Sequence, residues 1–406
     1  MVGLLGLMML ALLAGSAAAT AAAATRARLR QQHASLERLA AQVGFLAEGP
    51  YSSRFGEVCA PQQDDRAAFE RYKAFHKRCR VDEACRARAL VWNCNDDSFC
   101  GGLGDEIRGL SFMLYLAMAV ERPLFVRWRR MGHDMLDFFT RRDIDVRVPD
   151  GVLLGGCRRA SFIDSGHALA LFDKANTSEG CDVWTTNLPV QAVFKEGSFV
   201  REAIPVMEHI SPVSAIGCAM RFMFQPMTFA PADQSSYEHI PAKFVAIHFR
   251  CADNAMGRAS VAAELDHERD RVRKAMQCAE SMGAENVVFV SCSESAKRAA
   301  TEVARDLEGK GMGVYVSGAR ARHIDHDHTK LTEQGFRTAL WSDFVLLQQA
   351  EALIFAGRIS GFSGAAASMG LVPASKLRKV VGSDGEISWP PCKPVEEKEV
   401  AASTVR

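Results

Sequence analysis

Lys243-Phe-Val-Ala-Ile-His-Phe-Arg-Cys-Ala-Asp253 is the stretch from which the fold of this chain is read. Phe244 to Ile247 is a short apolar run, rich in β-branched residues, that follows Pro241. Such a run reads as a strand buried on both faces, as in a parallel sheet. His248, Arg250 and Asp253 follow it, where open α/β sheets bind their ligands beyond the carboxyl ends of the strands. A guanidinium is permanently charged, and its planar fork matches a pair of phosphate oxygens better than an ammonium does. The stretch therefore reads as a grip on a diphosphate. By itself Arg250 fits an ordinary strand-end ion pair equally well, so other segments have to decide.

Downstream of Pro241 the alternation is regular. Strand 244–250 leads to a charged helix at 258–282, the strand Asn286–Ser291, a helix at 294–309 and the strand Gly313–Val316. A helix at 332–350, the strand Leu353–Ala356, a glycine-serine loop and a strand at Lys379–Val381 complete the series. Strands alternating with helices of this length predict a parallel sheet covered on both faces. Upstream, Ala89–Trp92 reads as a strand and Asn93–Gly104 as a loop. Asp105–Val120 carries Ile107, Leu110, Met113, Leu114 and Met118 at helical spacing, and Leu124–Trp128 is a second strand. That makes a βαβ unit. Between Gly132 and Ser236 the prolines at 149, 189, 205, 212, 226 and 231 predict irregular loops and short helices. The expectation is an α/β protein of two Rossmann-like domains with a cleft between them, 57–239 and 240–383.

Composition sets the setting. At 406 residues two domains are the prior, and 49 basic against 48 acidic residues give no support for nucleic-acid binding. Val2 to Thr25 has no charged residue, so 1–25 is expected to be a signal peptide or signal anchor. Arg26, Arg28 and Arg30 follow the apolar run, which disfavours a simple cytoplasmic N-terminus. Residues 26–56 read as a stem helix, and 384–406, with its prolines and lysine/glutamate run, as a mobile tail. Twelve cysteines fit an oxidising lumen, ER or Golgi. The spacings Cys79/Cys85 and Cys94/Cys100 suit short disulfide loops, while the full connectivity is open. Asn176-Thr177-Ser178 is a glycosylation sequon for a lumenal chain.

Two further loops carry anion-binding chemistry. In Cys100-Gly-Gly-Leu-Gly-Asp-Glu-Ile-Arg-Gly-Leu110, glycines precede a helix N-terminus, which offers unpaired N–H groups to an anion. A dinucleotide fingerprint starting at Gly102 and Gly104 would need glycine at Ile107, and a P-loop ending at Gly109 would need lysine at Leu110. A plain turn capped by Asp105 is the alternative to anion binding. In Arg358-Ile-Ser-Gly-Phe-Ser-Gly-Ala-Ala-Ala-Ser368, small residues follow a buried strand, and Ser360 and Ser363 are the candidate donors to phosphate.

The ordered set GGLGDEIRGL, VAIHFRCAD and SDFVLLQQAEALIF…SGFS resembles the fucosyltransferase superfamily over about 88–130 and 240–382. That superfamily holds the protein O-fucosyltransferases, the α-1,6-fucosyltransferases and the nodulation fucosyltransferases. The resemblance implies a GT-B-like fold and a metal-independent, inverting glycosyltransferase. Its donor would be GDP-fucose, with no cofactor besides, and its acceptor a glycan or protein hydroxyl. It implies that Gly101, Gly102 and Gly104 approach the donor, and that His248 holds the nucleoside. Arg250 would contact the β-phosphate and Asp343 the guanine, with Phe362 and Ser363 in the phosphate-binding turn. Many members carry a second arginine where Cys251 stands, and the spacing from Asp343 to Ser363 is longer than the pattern.

Asp105 and Glu106 are the candidate bases for the acceptor hydroxyl, and helix capping accounts for both without catalysis. His323-Ile-Asp-His-Asp-His328 is read as a solvated loop in preference to a metal site. The rival functions are a catalytically silent relative that binds glycan or protein and a transferase using another sugar nucleotide.

Overall fold

The computed structural model describes residues 51–395, excepting 96–99, 131–132, 151–153, 163–173, 189, 191–209, 226–238, 251–261, 309–310, 319–340, 357–358 and 381–391. The expected signal or anchor, most of the stem, Asp253 and the run His323–His328 lie outside the described residues. Among the described residues no helix is long and apolar enough to cross a membrane.

Three helices come first: α1 (Tyr51–Cys59), α2 (Gln63–Cys79) and α3 (Glu83–Arg86). Helix α2 starts where the Asp65 carboxylate accepts the Gln62 N–H at 3.0 Å, and it ends on His76, Lys77 and Arg78, as the helix dipole favours. The predicted βαβ unit follows as β1 (Leu90–Cys94), α4 (Leu103–Ala119) and β2 (Leu124–Arg130). The stretch expected to be irregular contributes β3 (His133–Asp134), β4 (Arg158–Phe162), β5 (Asp182–Thr186) and helix α5 (Pro212–Met223). These strands form a sheet in the order β3-β2-β1-β5-β4, parallel except for β3.

Strand β5 escapes a pattern reading because it starts on a buried aspartate. Asp182 is fully buried, and its carboxylate accepts from Arg122 at 2.8 Å and from Arg158 at 2.7 Å. Arg122, also buried, donates further to the carbonyls of Arg88, Ala89, Ala175 and Gly180. One side chain from the α4–β2 connection thus ties together the approaches to β1 and β5. Burial lowers the Arg122 pKa and the Asp182 carboxylate opposes that shift.

The second sheet comprises β6 (Val245–Phe249), β7 (Asn286–Ser291), β8 (Gly313–Val316), β9 (Ala352–Phe355), β10 (Leu377–Val380) and β11 (Cys392–Pro394). Between them run α6 (Ala262–Ser281), α7 (Glu294–Glu308), α8 (Ser342–Gln349) and α9 (Gly361–Met369). The order is β11-β10-β9-β6-β7-β8, parallel except for β11. An α/β protein with two largely parallel sheets is therefore observed. Cys392–Pro394, expected in a mobile tail, instead pairs with β10 and is held by the disulfide Cys278–Cys392. A sulfur link to α6 supplies what the polar tail sequence lacks, a fixed partner for an edge strand.

Both sheets lie in one compact unit that begins at Phe55. A single core cluster joins Trp92, Leu110 and Leu114 to Val288, Leu353 and Ala366. Helix α4 is buried almost all round, as expected of a helix packed on every side and not of one lying on a surface. It packs against α5 and α9, and α5 reaches α9 so closely that a Cβ on Gly217 would overlap the Ser368 carbonyl. Arg221 of α5 donates to the Met369 carbonyl at 2.6 Å.

Every described cysteine is in a disulfide. Cys79–Cys85 and Cys94–Cys100 close the short loops expected from their spacing. Cys157–Cys181 precedes β5, and Cys59–Cys218 joins the end of α1 to α5 across 159 residues. In the chain-entropy picture such long closures restrict the unfolded chain most.

Candidate functional site

All five residues of β6 are buried, and the strand lies between β7 and β9. The chain leaves β6 toward β7 on one side and returns to β9 on the other, so their carboxyl ends flank the topological switch point of the sheet. His248 and Arg250 stand there. The Ala356 N–H donates to the His248 carbonyl at 3.0 Å, bringing the loop after β9 alongside.

His248 is only 7 % exposed, and its Nδ1 is buried with no hydrogen-bond partner among the described residues. Burial, followed by the nearby Arg250 charge, pushes its pKa down to about 3, so the ring is neutral at physiological pH. A buried, unpartnered ring nitrogen is costly unless something occupies it. Arg250 is half-buried and close enough for its charge to be felt at His248.

Helix α9 starts on this site. Ser360 is its N-cap, accepting the Ser363 N–H at 3.3 Å, while the Ser363 hydroxyl donates to the Ser360 carbonyl at 3.2 Å. The two serines therefore hold the helix start, and the N–H groups of Gly361 and Phe362 are those a first turn leaves over. The Phe362 ring lies 6.1 Å from the His248 ring and 5.2 Å from Phe344 of α8.

The glycine loop arrives from the other sheet. A Cβ on Gly104 would overlap the backbone of Gly361 and Phe362, so only glycine allows α4 to start directly against the start of α9. Two motifs about 250 residues apart in sequence are thus in contact. Gly101 has φ +77°, and Gly102, the N-cap of α4, donates its N–H to the Asp105 carboxylate at 3.1 Å. The other Asp105 oxygen pairs with Arg108.

Glu106 is completely buried. Its Oε2 accepts from Trp128 Nε1 at 2.8 Å and its Oε1 from Arg130 Nε at 2.6 Å. Neither partner belongs to one of the three motifs. The available signal was the alternation on β2, which buries Val126, Trp128 and Arg130 and exposes Arg127 and Arg129. Asp343, in the first turn of α8, is 2 % exposed and accepts from the Ser317 hydroxyl. Burial raises its pKa to about 6, opposed by that hydrogen bond and by Lys297. Its partners come from the end of β8 and from α7, and only its neighbour Phe344 reaches Phe362 at the junction.

The structure thus brings Gly101, Gly102, Gly104, Asp105, His248, Arg250, Ser360, Phe362 and Ser363 around one junction. Glu106 faces away into the first sheet, and Asp253 lies outside the described residues. No group of metal-ligating side chains occurs among the described residues.

Solved structures match the chain to differing extents. An arginine-to-lysine mutant of Arabidopsis thaliana FUT1 in complex with GDP matches at a TM-score of 0.55 and 14 % identity, covering 80 % of this chain and 81 % of that one. NodZ α-1,6-fucosyltransferase co-crystallised with GDP matches at 0.42 and 14 %, over 72 % and 95 %. POFUT1 in complex with GDP matches at 0.36 and 11 %, over 70 % and 94 %. No protein-family model and no curated protein matches the chain. The fold is shared with FUT1.

Proposed function

We propose that the protein is a glycosyltransferase that moves fucose from GDP-fucose to a glycan or protein hydroxyl, in a single inverting displacement that needs no metal. The observation carrying this reading is the buried Nδ1 of His248, without a partner among the described residues, beside Arg250 at the switch point and near the start of α9. The neutral His248 ring would hydrogen-bond the nucleoside, and Asp343, with a carboxyl close to its titration point, the base. The likeness to FUT1, solved with GDP, supports the same choice of nucleotide.

The chemistry follows from charge. As the acceptor oxygen bonds to the anomeric carbon, the bond from that carbon to the diphosphate oxygen breaks. The acceptor proton passes to a base or water, and negative charge gathers on the departing diphosphate. Arg250 and the first N–H groups of α9 are preorganised donors for that charge, the part a divalent cation plays in other transferases. The glycine loop closes the other side, and the acceptor would enter between the two sheets.

A donor-dependent thermal shift tests the reading. GDP should raise the melting temperature, and UDP, ADP and NAD should leave it unchanged. Stabilisation by another nucleotide alone would move the reading to a different donor. GDP binding without cleavage of GDP-fucose in the presence of acceptor glycans or folded domains would make the protein a binding module.

We also propose a lumenal setting, in the ER or Golgi, which the disulfides at every described cysteine support. Asn176 of the sequon is exposed. Chain from a secretory host that keeps its mass after N-glycosidase treatment would count against it.

A further inference from the structure

Glu106 sits in the first turn of α4, where a carboxylate would ordinarily face water and favour the helix dipole. Here it is fully buried, and both oxygens are engaged by β2 through Trp128 and Arg130. The remaining guanidinium nitrogens of Arg130 point at the loop between β1 and α4. One donates to the Gly101 carbonyl at 3.1 Å, the other to the Asn95 carbonyl at 3.4 Å. Cys94–Cys100 closes the same loop, and the Asp105 carboxylate holds the Gly102 N–H. From Gly102 the chain reaches Gly104 and its contact with the start of α9.

We propose that Glu106 is a positioning residue. Through Arg130 it fixes the glycine loop against α9, and it does not take the acceptor's proton. A general base must come within about 3 Å of the proton it removes, directly or through one water. A carboxylate with no exposed surface and with two donors already in place, one of them a guanidinium, is arranged for holding. Its effect on turnover runs through the loop, because small displacements of positioning groups cost about 10²-fold in rate. The catalytic part of this inference rests on the donor-site reading above, whereas the structural part does not.

The test uses Glu106→Gln and Arg130→Lys in the full chain. Glutamine keeps the shape of Glu106 but sets an N–H₂ against existing donors, and lysine keeps the charge of Arg130 but loses its fork. Hydrogen exchange in the ligand-free protein should speed up about 10-fold or more at the amides of 101–104 in both variants, with the rest of α4 still protected. The KM for GDP-fucose should rise, and the pH–rate profile of Glu106→Gln should keep its acid limb. Unchanged exchange at 101–104 in Arg130→Lys would overturn the staple, even if Glu106→Gln failed to fold. Unchanged exchange and KM in Glu106→Gln, with turnover lost and the acid limb gone, would make Glu106 the base. Exchange needs no donor, so an absent GDP effect would sink the donor reading and leave the loop result standing.

Discussion

The two sheets present the same place in the fold, the carboxyl end of a central parallel strand, and treat it in opposite ways. After β1, side chains tie the loop and the first helical turn to one another and to β2. Asp105 takes Gly102 and Arg108, Glu106 takes Trp128 and Arg130, and Arg130 takes Asn95 and Gly101. After β6, His248 keeps a buried ring nitrogen with no partner among the described residues. A satisfied polar network adds rigidity and leaves no capacity for a ligand, while an unsatisfied one carries a standing cost that a ligand can remove. On the proposed function, the first sheet acts mainly as the frame and the second holds the donor.

If that contrast is right, damage to the first sheet should register in stability and damage to the second in function. The largest effect is expected at Asp182. Its loss strands the buried Arg122 guanidinium, and Asp182→Ala should lower unfolding stability by about 3–5 kcal/mol, read by chemical denaturation. A change under about 1 kcal/mol would show that the Arg122 carbonyl contacts suffice without the ion pair.

Next comes Arg250. Arg250→Ala and Arg250→Lys should each reduce fucose transfer by about 10²–10³ while the melting temperature stays near that of the unaltered protein. Near-normal turnover in either variant would remove Arg250 from the donor site. A large fall in melting temperature would place it in the frame after all.

The smallest expected effect is on pH dependence. His248, with a pKa of about 3, and His76, about 4, are both held neutral chiefly by burial. Unfolding restores a value near 6.5, so the unfolded chain binds more protons and stability falls as pH drops below about 6.5. Asp343 works the other way, since its raised pKa of about 6 favours the folded state as pH falls toward 4. Two groups against one give a net loss on acidification from pH 7 to 5. That loss should be shallower in His248→Asn, and an equal slope in the variant would mean that the ring is not held neutral by the fold.

Much of the second sheet was legible because its strands are short apolar runs with charged helices between them. β7 and β8 fall where periodicity puts them, and β6 and β9 within a residue of it. The first sheet was harder to read. β4 carries Arg158, Arg159 and Ser161, and β5 begins on Asp182, residues that suit a loop until Arg122 arrives to pair the aspartate. β11 is equally hidden, since a three-residue edge strand in a polar tail is defined by the cysteine that anchors it.

The amino-acid order determined the candidate donor residues and the α/β plan on its own. A histidine and an arginine after a buried strand, glycines before a helix and serines before another are local patterns, and local chemistry dictates what each can bind. Only the tertiary structure decided which polar groups are already engaged. Asp105 and Glu106 are neighbours that look alike in sequence, yet one caps its own helix and the other is buried against β2. The contact between Gly104 and Gly361 likewise exists only once the two sheets share a core. Hydrogen-bond partners come from distant parts of the chain, and packing alone selects which of them arrive.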